Sequence, residues 1–398
     1  MLGDPVRDVR DDIAETSNVP EFADKIWFHK TAGAVIEPDR CVGCGGCVAA
    51  CPSRSIEIAE DGRPTLVGMC TGCSFCWDVC PMAGLNVGAL AAHPVAGRDG
   101  TGSPSVALAA RARRPVAGAQ DGGVVTALLS GLLRAGRIDA ALVTQRLDAF
   151  EGEALLATTP EQIEAAAGSV YHQANPLALL GAPPPEGIGS IAVVGTPCQI
   201  AALRMLQMTP WRYRRSAAHL VTLTVGLFCT RSFSHSALRA AVTELIGEQV
   251  DRIDVRDGLL SASRDGERVM LGPVADFRAA ALRGCDECSD LTAELADVAV
   301  GNLGSARGYS TVLLRTPVGE EAWEQAGEAF ETLPLTDPAA VARAEERNRR
   351  EARRVRPIAA PPAELRIGYV EHLEAYSATD RSHVAPPPHR SHHYRTSC

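Results

Sequence analysis

Aromatic residues make up only 5% of this 398-residue chain. That is too few to build a stacking surface for nucleic-acid bases. Positive charge is short as well: 39 Lys and Arg stand against 48 Asp and Glu, a formal net charge of −9. Both shortages argue against a nucleic-acid partner. No stretch approaches the ~18 apolar residues of a membrane-spanning helix. Residues 1–20 are polar and acidic, without the apolar segment of a secretion signal. The expectation is a protein with no transmembrane segment of its own, touching a membrane only through a partner. No Ser–His–Asp set or acid–base pair stands out, so no catalytic side chain is assigned. His172 and His235 are the only histidines near the motifs described below, and each reads as a surface or capping residue. Hydrophobic content of 46% with 22% charge is that of an ordinary globular protein, long enough for two or three domains.

What the chain does have is cysteine, thirteen in all. With no secretion signal, so many thiols suggest a reducing, cytoplasmic compartment and a use as ligands. Eight of them form one run written twice: Cys41-x2-Cys44-x2-Cys47-x3-Cys51-Pro52 and Cys70-x2-Cys73-x2-Cys76-x3-Cys80-Pro81. Bacterial ferredoxins hold two [4Fe–4S] cubes with this run, the fourth Cys of each copy serving the other cube. The spacing therefore assigns Cys41, Cys44, Cys47 and Cys80 to one cluster, and Cys70, Cys73, Cys76 and Cys51 to the other. Zinc also favours Cys-x2-Cys, but it has no use for a third Cys at the same spacing followed by x3-Cys-Pro. Gly43, Gly45, Gly46 and Gly72 free the backbone to aim N–H groups at the sulfurs.

The expected fold is an N-terminal two-cluster ferredoxin module followed by a mixed α/β domain. Residues 1–34 read as an extension, 35–88 as the ferredoxin module, and the Gly- and Pro-rich 89–104 as a linker. From 105 to 335 strands alternate with helices. Strands are predicted at 106–110, 138–143, 190–195, 220–228, 297–300 and 311–315, with a hairpin over 252–274. Val125, Leu128, Leu129 and Leu132 recur at helical spacing in a helix over 124–135, and a second helix starts near Ile200. Residues 336–376 contain a charged helix over 339–356, read as a solvated face. Residues 377–398, with Pro386 to Pro388 and several histidines, read as a disordered tail.

Cys198, Cys229, Cys285 and Cys288 form a second set. Cys198 follows a predicted strand and Cys229 ends one, and ligands of open α/β sheets gather at the carboxyl ends of strands. With the Cys285-x2-Cys288 clip they make four ligands, enough for a third [4Fe–4S] cluster. A zinc ion or a set of buried free thiols fits the spacing equally well.

A family resemblance bears on this choice. The stretch Ala119-Gln120-Asp121-Gly122-Gly123-Val124-Val125-Thr126 resembles the opening motif of the beta subunit of coenzyme F420-reducing hydrogenase. The likeness continues in order through Ala165 to Tyr171, Pro197-Cys198-Gln199, the Cys229 strand end, and Gly284 through Val298. It ends in Gly304-Ser305, Ser310 to Val312 and Arg315-Thr316, so that it spans roughly 105–335. The resemblance implies a subunit that holds FAD and one [4Fe–4S] cluster and exchanges hydride with the deazaflavin coenzyme F420. The family's four cluster cysteines fall on Cys198, Cys229, Cys285 and Cys288. Fusion to a ferredoxin module resembles the electron-input subunit of F420-linked respiratory dehydrogenases. It implies electron exchange with a ferredoxin or a partner complex, which could sit on the inner membrane. Related domains also occur in plant 7-hydroxymethyl chlorophyll a reductase. A reductase of another substrate, or a relay subunit without a working flavin, are thus the alternatives.

The flavin site implied by this resemblance begins at Gln120, Asp121, Gly122 and Gly123, before the helix that carries Thr126. Glycine permits close backbone approach there, and a helix N-terminus favours phosphate. Gly301, Asn302, Gly304 and Ser305 form a second Gly-bearing loop after a strand, and Gly168, Ser169 and Tyr171 a third wall.

Overall fold

The computed structural model describes residues 27–70, 75–83, 104–207 and 216–355. Cys73, Gly72, most of the expected extension and linker, and the tail lie outside them.

The N-terminal module is built from short pieces, since most of its chain is committed to turns around cysteines. Helix α1 (Phe28–Thr31) runs on into a wider turn at Ala32–Ile36, and α2 (Gly46–Ala50) follows Cys41 and Cys44 and carries Cys47. Strands β1 (Ile56–Ile58) and β2 (Pro64–Leu66) pair antiparallel, and α3 (Phe75–Asp78) precedes Cys80.

The larger domain starts with β3 (Val106–Ala112), α4 (Val124–Arg134), β4 (Ala140–Arg146), β5 (Gly152–Ala157) and α5 (Pro160–Ala165). Then come β6 (Ile191–Gly195), α6 (Pro197–Gln207), β7 (Val221–Leu227) and α7 (His235–Ile246). A meander of β8 (Arg252–Arg256), β9 (Leu259–Arg264) and β10 (Glu267–Pro273) follows. The chain closes with β11 (Val298–Gly301), β12 (Ser310–Leu314), α8 (Pro317–Gln325), β13 (Phe330–Leu333) and α9 (Pro338–Val355).

Eight strands form one sheet in the order β13-β3-β12-β11-β7-β6-β4-β5. Its centre, β11-β7-β6-β4, is parallel, and both flanks are antiparallel. Parallel strands buried on both faces are expected to be apolar throughout. Strand β4 obeys this: Ala140 and Leu142 face one layer while Ala141 and Val143 face the other. On the second side lie Leu128, Leu129 and Leu132 of α4, as their spacing predicts. On the first lie Ile200 and Leu203 of α6, and with them Cys44, Ala49, Ala50 and Val79 of the N-terminal module. The ferredoxin module is therefore packed into the core of the larger domain.

Glycine makes that approach possible. A Cβ on Gly45 (φ +77°) would lie 2.5 Å from the Asn175 carbonyl oxygen and 2.6 Å from the Ala178 nitrogen. Gly45 thus serves docking, whereas the Gly46 N–H does reach a sulfur, 3.5 Å from Cys44 Sγ.

Two expectations need correction. Residues 252–274 form three strands rather than a hairpin, joined by Asp257-Gly258 and Asp265-Gly266 with positive φ at both turn residues. Asp-Gly is a two-residue hairpin turn signal. The charged helix α9 is not a merely solvated face. Asn348 donates to the Cys288 carbonyl oxygen (3.1 Å), Arg349 pairs with buried Glu294 (2.5 Å), and Glu345 accepts from Thr292 (2.5 Å).

Candidate functional site

Strands β6 and β7 are parallel neighbours, with Gly195 opposite Gly226. Their carboxyl ends therefore release the chain side by side. Cys198 falls in the first turn of α6, which starts at Pro197 rather than near Ile200, and Cys229 lies just beyond β7. The Cys285 and Cys288 clip is carried on a 3-10 turn at Arg283–Glu287. It closes over the same edge: Ser232 N–H donates to Cys285 Sγ at 3.4 Å, and Ser232 Oγ lies 4.0 Å from Cys229 Sγ. Burial pushes the Cys229 thiol well up, and nearby Cys285, Cys198 and Cys288 push it further. Burial likewise pushes Cys285 up to about 12, with Cys198 and Cys288 adding to the rise. Four buried or half-buried thiols within electrostatic reach of one another suit a cationic group that would hold them as thiolates. Around a zinc ion, Zn–S bonds of ~2.3 Å would bring the sulfurs to about 3.8 Å of one another. Among the described residues no group of three or more His, Cys, Asp or Glu closes to the spacing of a single ion. Four thiols gathered at one strand edge offer the ligand number that a zinc ion or a four-iron cube takes.

The ferredoxin cysteines sort in the same way. Burial raises Cys44 and Cys47, and both feel Cys41 and Cys80. Cys41, Cys44, Cys47 and Cys80 thus share one neighbourhood. Cys51, Cys70 and Cys76 gather around Phe28 and Ile56, where Cys47 also packs. Backbone and hydroxyl groups reach these sulfurs: Phe28 N–H to Cys70 (3.4 Å), Ser55 N–H to Cys51 (3.3 Å), and Thr31 Oγ1 beside Cys76 (3.5 Å). A solvent-open groove beside Cys51, lined by Pro183 to Pro185 and His219, has a volume of about 530 Å³.

Cys198 joins the strand-edge set to the first ferredoxin set. Cys198 is buried among Val42, Trp77 and Met82, with Cys41 and Cys80 packed on the same cluster, and it also acts on Cys44. The strand-edge set therefore abuts the first ferredoxin set with no intervening layer.

The predicted flavin residues lie at the same edge of the sheet. Gln120 Oε1 accepts from Ser169 Oγ and from Tyr171 Oη (3.2 Å), while its Nε2 donates to the Val255 carbonyl oxygen (2.6 Å). Val255 N–H donates to Tyr171 Oη at 2.7 Å, and Asn302 Nδ2 reaches the Val255 oxygen at 3.5 Å. Burial pushes the Tyr171 hydroxyl up to about 12. Gln120, Ser169, Tyr171 and Asn302 thus meet on the meander. Asp121 forms an ion pair with Arg256. At Gly122 a Cβ would lie 2.4 Å from the Ala110 oxygen, and Gly123 (φ +65°) caps α4, in whose first turn Thr126 is buried. A Cβ on Gly301 would collide with the Phe228 ring, and Gly168 has φ +115°. Gly304 (φ +90°) lies against Asp337, and Ser305 Oγ bonds Thr311 Oγ1 at 2.5 Å. His172 is half-buried and in edge contact with His235, ring centroids 5.0 Å apart, and His235 opens α7. Burial lowers His172, as does His235.

The sequence reading missed a set of arginines. Burial lowers Arg256, and the like charges of Arg307 and Arg268 lower it further; burial and Arg252 do the same to Arg146. Arg252 and Arg256 stand four residues apart on β8, a spacing that puts both on one face of a strand. That alternation is readable only once the meander is recognised.

Comparison with known proteins bears on the whole arrangement. Residues 107–180 and 188–338 match the N-terminal and C-terminal parts of the coenzyme F420 hydrogenase/dehydrogenase beta subunit, and 33–97 match a 4Fe-4S dicluster domain. The coenzyme F420 hydrogenase subunit beta of Methanothermobacter thermautotrophicus is 35% identical over 226 residues, 55% of this chain and 80% of that protein. The chain belongs to the family of coenzyme F420 hydrogenase/dehydrogenase beta subunits. Within that family it is also similar to an F(420)H(2) dehydrogenase subunit of Methanosarcina mazei, 30% identical over 56% of this chain and 63% of that one. A chain of the F420-reducing [NiFe] hydrogenase complex of Methanosarcina barkeri has the same fold. Its TM-score is 0.60 at 28% identity, covering 67% of this chain and 94% of that one. The expected fold class, a two-cluster ferredoxin module before a mixed α/β domain, is the one found. The chain is thus an F420-linked electron-transfer subunit with a 4Fe–4S ferredoxin domain.

Proposed function

We propose that this chain exchanges hydride between coenzyme F420 and FAD, and passes the electrons singly through three [4Fe–4S] clusters to or from a ferredoxin or partner complex. The observation that supports this best is the double membership of Cys198, which ties the strand-edge thiols to the first ferredoxin set. FAD, when bound, converts a hydride into two single electrons. The chain's own residues do the rest. Cys198, Cys229, Cys285 and Cys288 hold the core cluster; Cys41, Cys44, Cys47 and Cys80 hold the adjoining ferredoxin cluster. Cys51, Cys70, Cys73 and Cys76 hold the distal one. Gly122 and Gly123 let the turn before α4 pack against β3 and Val116, so that the helix N-terminus would face a phosphate, and Gln120, Ser169, Tyr171 and Asn302 would orient the flavin. Arg146, Arg268 and Arg307 supply positive charge for the anionic groups that FAD and F420 both carry, beside Arg252 and Arg256, which are paired with Asp254 and Asp121. Among the described residues no helix is long and apolar enough to cross a membrane; membrane contact would be made through the partner.

Anaerobic reconstitution with iron, sulfide and FAD tests this reading. Three cubes require about 12 irons per chain and two require about 8. Reduced F420 should bleach the visible spectrum of the flavin and then of the clusters. A protein that loads three cubes but is not reduced by F420 is a relay, or a reductase of another substrate.

A further inference from the structure

Arg40 and Glu287 are 247 positions apart in sequence and meet where the two modules join. Their side chains are 1% and 0% exposed. Arg40 Nε donates to Glu287 Oε1 and its Nη2 to Oε2, each at 2.8 Å, while Nη1 donates to the Ala34 carbonyl oxygen at 2.7 Å. The segments are pressed together: a Cβ on Gly284 would lie 2.2 Å from the Arg40 oxygen. A buried pair of this kind is weak evidence for stability, because apolar residues of similar volume often serve as well or better. Its orientation suggests another use.

The positive end lies on the ferredoxin side. Arg40 directly precedes Cys41, a ligand of the proposed adjoining ferredoxin cluster. The negative end lies between Cys285 and Cys288, inside the clip of the core set. Arg231, beside the same clip, is itself paired with Asp286. A positive charge stabilises the reduced, more negative state of a cluster, and a negative charge opposes it.

We propose that the Arg40–Glu287 pair is a fixed dipole that biases the electron step between modules toward the ferredoxin side. The inference rests on the three-cluster reading above. In the step, one electron leaves the core cluster, which is oxidised, and enters the cluster of Cys41, Cys44, Cys47 and Cys80, which is reduced. No bond is made or broken and no proton moves. Reduced F420 is the hydride donor upstream, and a ferredoxin or partner complex the acceptor downstream.

The test is a redox titration of the reconstituted full-length protein with dithionite, followed by electron paramagnetic resonance, so that F420 is not needed. The double variant Arg40→Met/Glu287→Leu removes both charges and keeps the site packed. The gap between core and adjoining ferredoxin potentials should narrow. The equilibrium constant for the step should fall several-fold. The distal cluster should not move. Should the double variant fail to load its clusters, Glu287→Gln, close to isosteric, decides instead: the core potential should rise while the distal one stays. A full complement of irons with an unchanged or widened gap overturns the dipole alone. A wild-type content of about 8 irons removes the core cluster, and overturns the reading and the inference together. A distal potential that moves as far as the others also overturns the dipole, since the effect would then be global.

Discussion

Tyr171 shows how single side chains hold the proposed flavin edge together. Its hydroxyl accepts from Val255 N–H and donates to Gln120, joining the loop before α4 to the meander. Tyr171→Phe leaves the Val255 N–H without that acceptor, and an unmade bond at a part-buried group costs on the order of 1 kcal/mol. The expected outcome is a small fall in the thermal midpoint and a larger loss of FAD on dilution, read by flavin fluorescence. An unchanged flavin affinity would separate Tyr171 from the site. At this scale the sequence is informative wherever chemistry imposes spacing. The eight ferredoxin cysteines are legible from their run alone. Cys198 and Cys229 need the expectation that ligands collect at strand ends, and their neighbours in sequence are unremarkable. The Arg40–Glu287 pair is not legible, because nothing local links residues 247 apart.

Among the elements, α9 and the meander β8–β10 depart most from their sequence reading. A run of Glu and Arg looks solvated in any local window; only the fold reveals that Asn348 and Arg349 face the clip and Glu294. Burial, with Asp290 close by, outweighs Arg349 and pushes the Glu294 carboxyl up to about 8. A carboxyl raised on folding contributes stability that is present below its unfolded pKa of about 4.3. That stability is lost as pH rises toward the folded value. Glu294→Gln should therefore raise the thermal midpoint at pH 8 relative to wild type and change it little at pH 4; the reverse order would contradict the shift. For the meander, Arg307→Ala removes a charge that faces Arg256. The Michaelis constant for F420 should rise several-fold, while that for the same deazaflavin stripped of its phosphate and glutamate side chain stays unchanged. A parallel rise for both would place Arg307 away from that side chain. The hairpin expectation falls one strand short because the meander turns at two Asp-Gly pairs and a hairpin at only one.

For the whole molecule, the decisive feature is how closely the ferredoxin module is packed into the larger domain. Its Cys44, Ala49 and Val79 share a core with Leu142 and Leu203. Such contacts depend on surfaces that meet only after folding, so the sequence indicates two modules but not their junction. Gly45→Ala tests the junction. The new Cβ would lie 2.5 Å from Asn175 O at a backbone φ of +77°, a strain on the order of 1–3 kcal/mol. Iron content should hold while electron transfer between core and ferredoxin clusters slows and limited proteolysis opens the junction. Equal rates and equal protease resistance would contradict a tight junction.

The central claim, that electrons cross from the strand edge to the ferredoxin module by way of Cys198 and its partners, is tested most directly by rapid-freeze paramagnetic resonance after mixing with reduced F420. In the wild type, signals of all three clusters should grow in. In Cys198→Ser, the flavin should still be reduced while both ferredoxin clusters stay oxidised. Ferredoxin clusters reduced as fast in that variant as in the wild type would contradict the account.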